Sequence, residues 1–251
     1  MIRILSSEWL KTKRTAVRWI TFFMPVVTAL CIVAYIPGRA GVTADFIYEG
    51  FFTVWTAVII PLGAGLLAGF IIHEEELAGD FHGFLNSEVS RDSVYLGKFF
   101  LLIFCLMSCT FISTVILCAG MNLAAPGNGY YAVFMMAALF AVIGSLPILA
   151  IHLWISLLWG IGASIGTGMG GLLMGALIGA TSLGDKIWIL VPWAWPVKLS
   201  MFPAVYLLSR TDLVFEDTVR QMMTGLAAVV IGTAVFLTGG MIWFRKWEGR
   251  A

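Results

Sequence analysis

The chain has 251 residues, of which 60% are hydrophobic and 12% charged, about half the charge of a soluble domain. With a mean hydropathy of +0.96, that apolar surface cannot be hidden in one core of this size, and intrinsic disorder is excluded by the same abundance of aliphatic and aromatic residues. A net charge of +1, from 15 Lys and Arg against 14 Asp and Glu, leaves no basic surface for nucleic acid. The expected solvent is lipid.

The first 14 residues place Ile2, Leu5 and Trp9 on one helical stripe, with Arg3, Lys11, Lys13 and Arg14 largely off it. This predicts an interfacial helix over residues 1–15, the alternative being a basic tail that only sets topology. Apolar runs of the length needed to cross about 30 Å of hydrocarbon follow at about 16–36 and 51–72. The first is too long for a secretory signal core and lacks a clean cleavage pattern, so it reads as an anchor. From residue 99 to 184 there is no Asp, Glu, Lys or Arg. The turn-forming cluster Asn122, Pro126, Gly127, Asn128 and Gly129 ends a third span at about 99–120. The remainder divides at Trp159-Gly160-Ile161-Gly162 into spans at about 131–158 and 161–183, and a sixth lies at about 222–244.

Basic residues precede the first span and follow the last (Arg245, Lys246, Arg250), so both ends are expected on the cytoplasmic side. That requires an even number of spans. The fold expectation is an all-α membrane protein of six spans in a single domain. The segment 73–98 then falls inside the cell and 185–221 outside.

Residues 73–98 carry Glu74, Glu75 and Glu76, then Leu77, Phe81, Phe84 and Leu85 at helical spacing, with Asp80 off that stripe. The pattern predicts a short amphipathic helix suited to a groove on a soluble partner. Ser90 is placed to cap the next helix. Three solvated glutamates beside the membrane are the plain alternative. His73, Glu74, Asp80 and His82 match no metal-ligand spacing, and no metal is expected. The four cysteines lie in apolar runs and read as small hydrophobes.

These residues resemble a known family. Glu-Glu-Glu at 74–76, Gly-Asp-Phe at 79–81, Phe-Leu at 84–85, Val-Ser-Arg at 89–91 and Leu-Gly-Lys at 96–98 resemble type-two ABC transporter permeases. The opening Ser-Glu-Trp-Leu-Lys-Thr-Lys-Arg-Thr at 7–15 narrows the resemblance to the permeases of bacterial lantibiotic-immunity exporters. It implies that the glutamate-bearing segment is the E-loop that contacts an ATPase, with Glu75 and Glu76 favoured. It also implies two ATPase copies carrying ATP and Mg, a second permease subunit, and a lantibiotic as cargo. The chain has no Gly-x-x-x-x-Gly-Lys-Ser/Thr loop of its own, so any ATPase is a separate polypeptide.

In the later spans, Gly162, Gly166 and Gly170 recur every four residues, and Gly171, Gly175 and Gly179 do so on another face. Such ridges permit close helix packing, within the subunit or across a permease pair. Gly225, Gly232 and Gly239 form a further stripe. Pro192, Pro196 and Pro203 are expected to break any continuous helix, which argues against a seventh span. With Trp188, Trp193 and Trp195 the segment resembles the outer re-entrant helices of type-two exporters, which implies an outer gate or peptide contact, the alternative being an aromatic interface belt. His152 is the one residue in the predicted spans that titrates near neutrality, either a packing histidine or a proton or substrate group. An enzyme would need acidic pairs, His clusters or a nucleophile with a base inside the spans, and these are lacking. A permease for another drug, lipid or polysaccharide stays open as the alternative cargo.

Overall fold

The computed structural model describes residues 2–35, 43–79, 81, 89–124, 131–208 and 212–248. Every regular element among them is helical. The N-terminal helix α1 (Ile2–Lys11) turns through Arg14, whose φ of 71° ends the first helical course, into α2 (Ala16–Tyr35). Helix α3 (Ala44–Val54) starts on Thr43, whose hydroxyl accepts the Phe46 N–H. It continues through a π-turn (Trp55–Ile59) into α4 (Ile60–Leu77). Pro61 lacks the N–H that an α-helix would give to the residue 57 carbonyl, which accounts for the wider turn just before it.

Helix α5 spans Arg91–Ala124 and α6 spans Tyr131–Met174, followed by a second π-turn, Gly175–Gly179. Three short 3-10 turns lead to α7 (Trp195–Leu208), and α8 (Asp212–Phe244) completes the chain. Among the described residues, five helical stretches are long and apolar enough to cross a membrane: Ala16–Tyr35, Ala44–Leu77, Arg91–Leu123, Tyr131–Gly179 and Glu216–Phe244. The fourth is two helical arms joined at Gly160, whose φ of 82° and ψ of −172° are open to glycine and costly for any L side chain. A straight helix would hold His152 and Ser164 roughly 18 Å apart. Their side chains meet at 3.1 Å, so the chain doubles back at this glycine.

Helix α4 packs most extensively against α6, and α5 against α2. Small residues make the close approaches possible. A Cβ on Gly65 would stand 2.7 Å from the Ser164 carbonyl, and one on Gly168 would stand 2.7 Å from that of Pro61. Three of the four glycines of α8 each receive a tryptophan ring: Gly225 faces Trp188, Gly232 faces Trp195 and Gly239 faces Trp154, while Gly240 faces Tyr95. A seven-residue repeat is close to two turns of helix, so these three rings stack along one face of α8.

Three expectations need correction. The stretch 73–98 is not a loop throughout, because α4 continues to Leu77 and α5 begins at Arg91; the polar residues there still have good helix propensity and extend both helices beyond their apolar spans. Nor does one helix carry Leu77 and Phe81 on a common stripe. Gly79 at φ 131° and Phe81 at φ 66° turn the chain out of the helix; Leu77 is left 70% exposed while Phe81 is 3% exposed against Trp247. Asp80, Phe84 and Leu85 lie outside the described residues. The third correction concerns the prolines near 195–208: Pro196 enters in the first turn, where no N–H is needed, and Pro203 is accommodated inside α7. At 14 residues, about 21 Å, α7 remains too short to cross the membrane.

Candidate functional site

Among the described residues, buried charge gathers where α1 meets the end of α4 and the start of α5. Lys98, in the second turn of α5, has a side chain only 1% exposed. Its ammonium donates to Glu8 Oε2 of α1 at 2.9 Å and to Glu75 Oε1 of α4 at 2.8 Å. Lys11 spans the same two acids from the other side, at 2.7 Å to Glu8 Oε1 and 2.8 Å to Glu75 Oε1. Two carboxylates and two ammonium groups thus alternate, with zero net charge. A buried ion is tolerated only when paired and hydrogen-bonded, which the alternation achieves. Partial burial of Lys11 disfavours its charge, but the hydrogen bonds and charges of Glu75 and Glu8 outweigh this and raise its pKa above the ordinary lysine value.

Each partner is held by its helix. Leu5 and Trp9 pack into the main core, Trp9 meeting Phe104 and Phe22 edge-on, and Ile4 lies over Gly97. The apolar stripe of α1 therefore faces α5 and α2, and Glu8 is carried inward with it. Beside the quartet lies a cavity of about 420 Å³ lined by Glu8, Lys11, Thr12, Thr15, Glu74 and Glu75 among others. Glu74 is exposed at its rim, and Glu76 meets His73 Nδ1 at 3.3 Å.

The start of α5 also holds the end of α8. Asp92 and Arg245 form a two-point pair, with Nε to Oδ1 at 2.8 Å and Nη2 to Oδ2 at 2.6 Å. Arg91 donates to the carbonyls of Phe244, Arg245 and Trp247, at and just beyond the end of α8. Ser90 stands at the cap position expected of it, accepting from Ser93 N–H at 3.4 Å. Within eight residues α5 is thus tied to α1, α4 and α8.

The remaining sequence candidates sit elsewhere. Gly171, Gly175 and Gly179 pack inside the chain, against Trp193, Ala57 and Val197 respectively, whereas Gly162, Gly166 and Gly170 have open space where a Cβ would be. Trp188 and Trp195 are buried, Trp195 donating its Nε1–H to the Ile189 carbonyl at 3.1 Å; Trp193 is half-buried against Gly171. His152 is fully buried. Ser164 gives its only hydroxyl proton to the Gly65 carbonyl at 3.0 Å, so the 3.1 Å contact makes His152 Nδ1 the donor and leaves Nε2 as the lone-pair nitrogen. Among the described residues no three His, Cys, Asp or Glu side chains group to hold a metal.

Sequence reasoning singled out Glu75 and missed its partners. Lys98 stands at the border of the long charge-free stretch, and Glu8 and Lys11 have i, i+3 spacing on α1; both signals were present, but nothing local links the three segments.

Long apolar helices packed through glycines, with polar networks gathered at helix ends, define a multi-pass membrane protein. Residues 4–165, more than half of the chain, match the ABC-2 family transporter protein family. The chain belongs to that family: it is the transmembrane permease of an ABC-2 transporter, without a catalytic domain, and ABC-2 permeases pair with ABC ATPase subunits. No curated protein matches the chain.

Proposed function

We propose that this permease exports an amphipathic antimicrobial peptide of the lantibiotic class from the membrane, giving self-immunity or resistance. The cargo rests on the resemblance at residues 7–15 and 74–98. Two copies of a separate ATPase would bind ATP and Mg, and a second permease, identical or homologous, would complete the passage. The carrying observation for the coupling is the buried Glu8–Lys98–Glu75–Lys11 network, which joins α1 to the ends of α4 and α5. A push on the segment between α4 and α5 would then move three helices together rather than one. Glu74, exposed beside that network, is free to meet the ATPase.

The topology proposed is six crossings with both termini cytoplasmic. Two features support it. The reversal at Gly160 divides the fourth apolar stretch into two arms, each of which would make one crossing. The Asp92–Arg245 pair brings the end of α8 to the same level as the start of α5, as an even count demands. The 3-10 turns and α7 would form the outer re-entrant segment, with Trp188 and Trp195 seated on α8 so that movement of α8 reaches the outer gate. The open ridge Gly162, Gly166 and Gly170 is proposed as the contact with the second permease.

Co-expression with a candidate partner ABC ATPase, followed by purification through the permease, tests this reading. Retention of the ATPase and faster ATP hydrolysis on adding a lantibiotic are expected. A retained ATPase that responds to a lipid or drug but not to lantibiotics would replace the cargo, and failure to retain any ATPase would remove the coupling account.

A further inference from the structure

The turn from α1 to α2 carries cations that no carboxylate among the described residues neutralises. No Asp or Glu occurs between Glu8 and Asp45. Lys11 is neutralised by Glu8 and Glu75, but Lys13, Arg14 and Arg18 enter no ion pair among the described residues. Arg18 is the most constrained of the three. Its Nε donates to Thr12 Oγ1 at 3.3 Å, its Nη2 donates to the Trp9 carbonyl at 3.1 Å, and its guanidinium carbon lies 4.5 Å over the Trp9 ring. These contacts aim the guanidinium while Nη1 has no hydrogen-bond partner among the described residues.

From that guanidinium an apolar groove of about 360 Å³ runs along α2, lined by Trp19, Phe22, Phe23 and Val26. Arg18, Phe22 and Val26 follow one another at four-residue spacing, so the groove leads from the charge into the span. Trp19 and Phe23 stand edge to face at 5.7 Å and form its other wall. A fixed cation at the head of a hydrocarbon-lined channel matches an amphiphile with an anionic head and an apolar tail. A charge at the edge of hydrocarbon is costly, and the Nη1 amino group is left to donate a charge-assisted hydrogen bond to a phosphate oxygen.

We propose that Arg18 and the aromatic groove beneath it bind one anionic glycerophospholipid, its phosphate on the guanidinium and an acyl chain along Phe22 and Val26. Lys13 and Arg14, both exposed, favour a head of net negative charge over a zwitterionic one, whose ammonium would add a further cation. The site requires only that α2 lies in a membrane and does not depend on the cargo or on the ATPase.

The test is native mass spectrometry of the detergent-purified full chain titrated separately with phosphatidylglycerol and phosphatidylcholine. One phosphatidylglycerol is expected to remain bound at levels where phosphatidylcholine does not. Arg18→Gln should weaken its retention about fivefold, as loss of one cation beside an anionic head implies. Arg18→Lys should keep the preference for the anionic lipid, and Arg220→Gln, far along the chain, should leave binding unchanged. Equal retention of the two lipids, or unchanged phosphatidylglycerol binding in Arg18→Gln, overturns the proposal. Should Arg18→Gln fail to fold, the surface double variant Lys13→Gln/Arg14→Gln decides instead: a reduced anionic preference is expected, and an unchanged one contradicts the site.

Discussion

Lys98 Nζ lies 2.8 Å from Glu75 Oε1 and 2.9 Å from Glu8 Oε2, so one buried ammonium holds side chains 23 and 90 residues away. Removing it leaves two carboxylates sharing only Lys11. Lys98→Met is therefore expected to destabilise the fold by about 3–5 kcal/mol, the range for breaking a buried ion pair from one side. Adding Glu75→Gln to Lys98→Met should recover part of the loss, because one charge of each sign is then removed. Thermal unfolding in detergent reads both effects.

Adjacent glycines provide a sharper contrast. A Cβ at Gly171 would collide with the Trp193 indole, while one at Gly170 meets nothing. Gly171→Val should cost several kcal/mol through overpacking, on the order of 1–3 or more, and reduce folded yield. Gly170→Val should leave the unfolding midpoint of the isolated chain nearly unchanged. If the open ridge is the permease contact, Gly170→Val will still lower the oligomeric state measured by light scattering.

How much of this was legible in the sequence depends on range. The apolar stretches follow from hydropathy, although the helices run past the limits it sets, from Ala44 to Leu77 and from Arg91. The break at Gly160 follows from its Gly-rich surroundings, because these are local properties of a few consecutive residues. The seating of Trp188, Trp195 and Trp154 on Gly225, Gly232 and Gly239 was half legible: the seven-residue spacing marks a contact face but does not say what fills it. The quartet was not legible, since Glu8, Glu75 and Lys98 meet only after three helices pack. The amphipathic stripe from Leu77 misled for a related reason. Periodicity reports which side chains are apolar, and the positive φ at Gly79 and Phe81 is set by where the chain must turn.

The hydrogen-bonded chain His152–Ser164–Gly65 pins the fold-back at Gly160 to α4. Ser164→Ala leaves both the Gly65 carbonyl acceptor and the His152 donor without their shared partner, at a cost of about 1–3 kcal/mol. His152→Gln, which keeps a donor near the same position, should cost less than His152→Leu. Unfolding midpoints of the three variants check the order, and preserved peptide export in His152→Gln would assign the histidine to packing alone.

At the other edge of α5, Asp92 and Arg245 pair at the surface, where Asp92 also raises the pKa of the guanidinium. Solvent screening makes such a pair weak. Arg245→Gln should barely move the unfolding midpoint, and that small change should vanish in high salt. Arg91→Ala, which removes three contacts to the end of α8, should instead increase amide exchange at residues 241–247.

The central claim is ATP-driven export of a lantibiotic through a passage that this chain helps to build. Its most direct test is reconstitution of the purified permease–ATPase complex in proteoliposomes with a fluorescent lantibiotic bound to the membrane. The account predicts loss of membrane-bound peptide only when ATP and Mg are supplied, and no loss when the ATPase is inactivated. An assembled, ATP-hydrolysing complex that leaves the amount of bound peptide unchanged would contradict it.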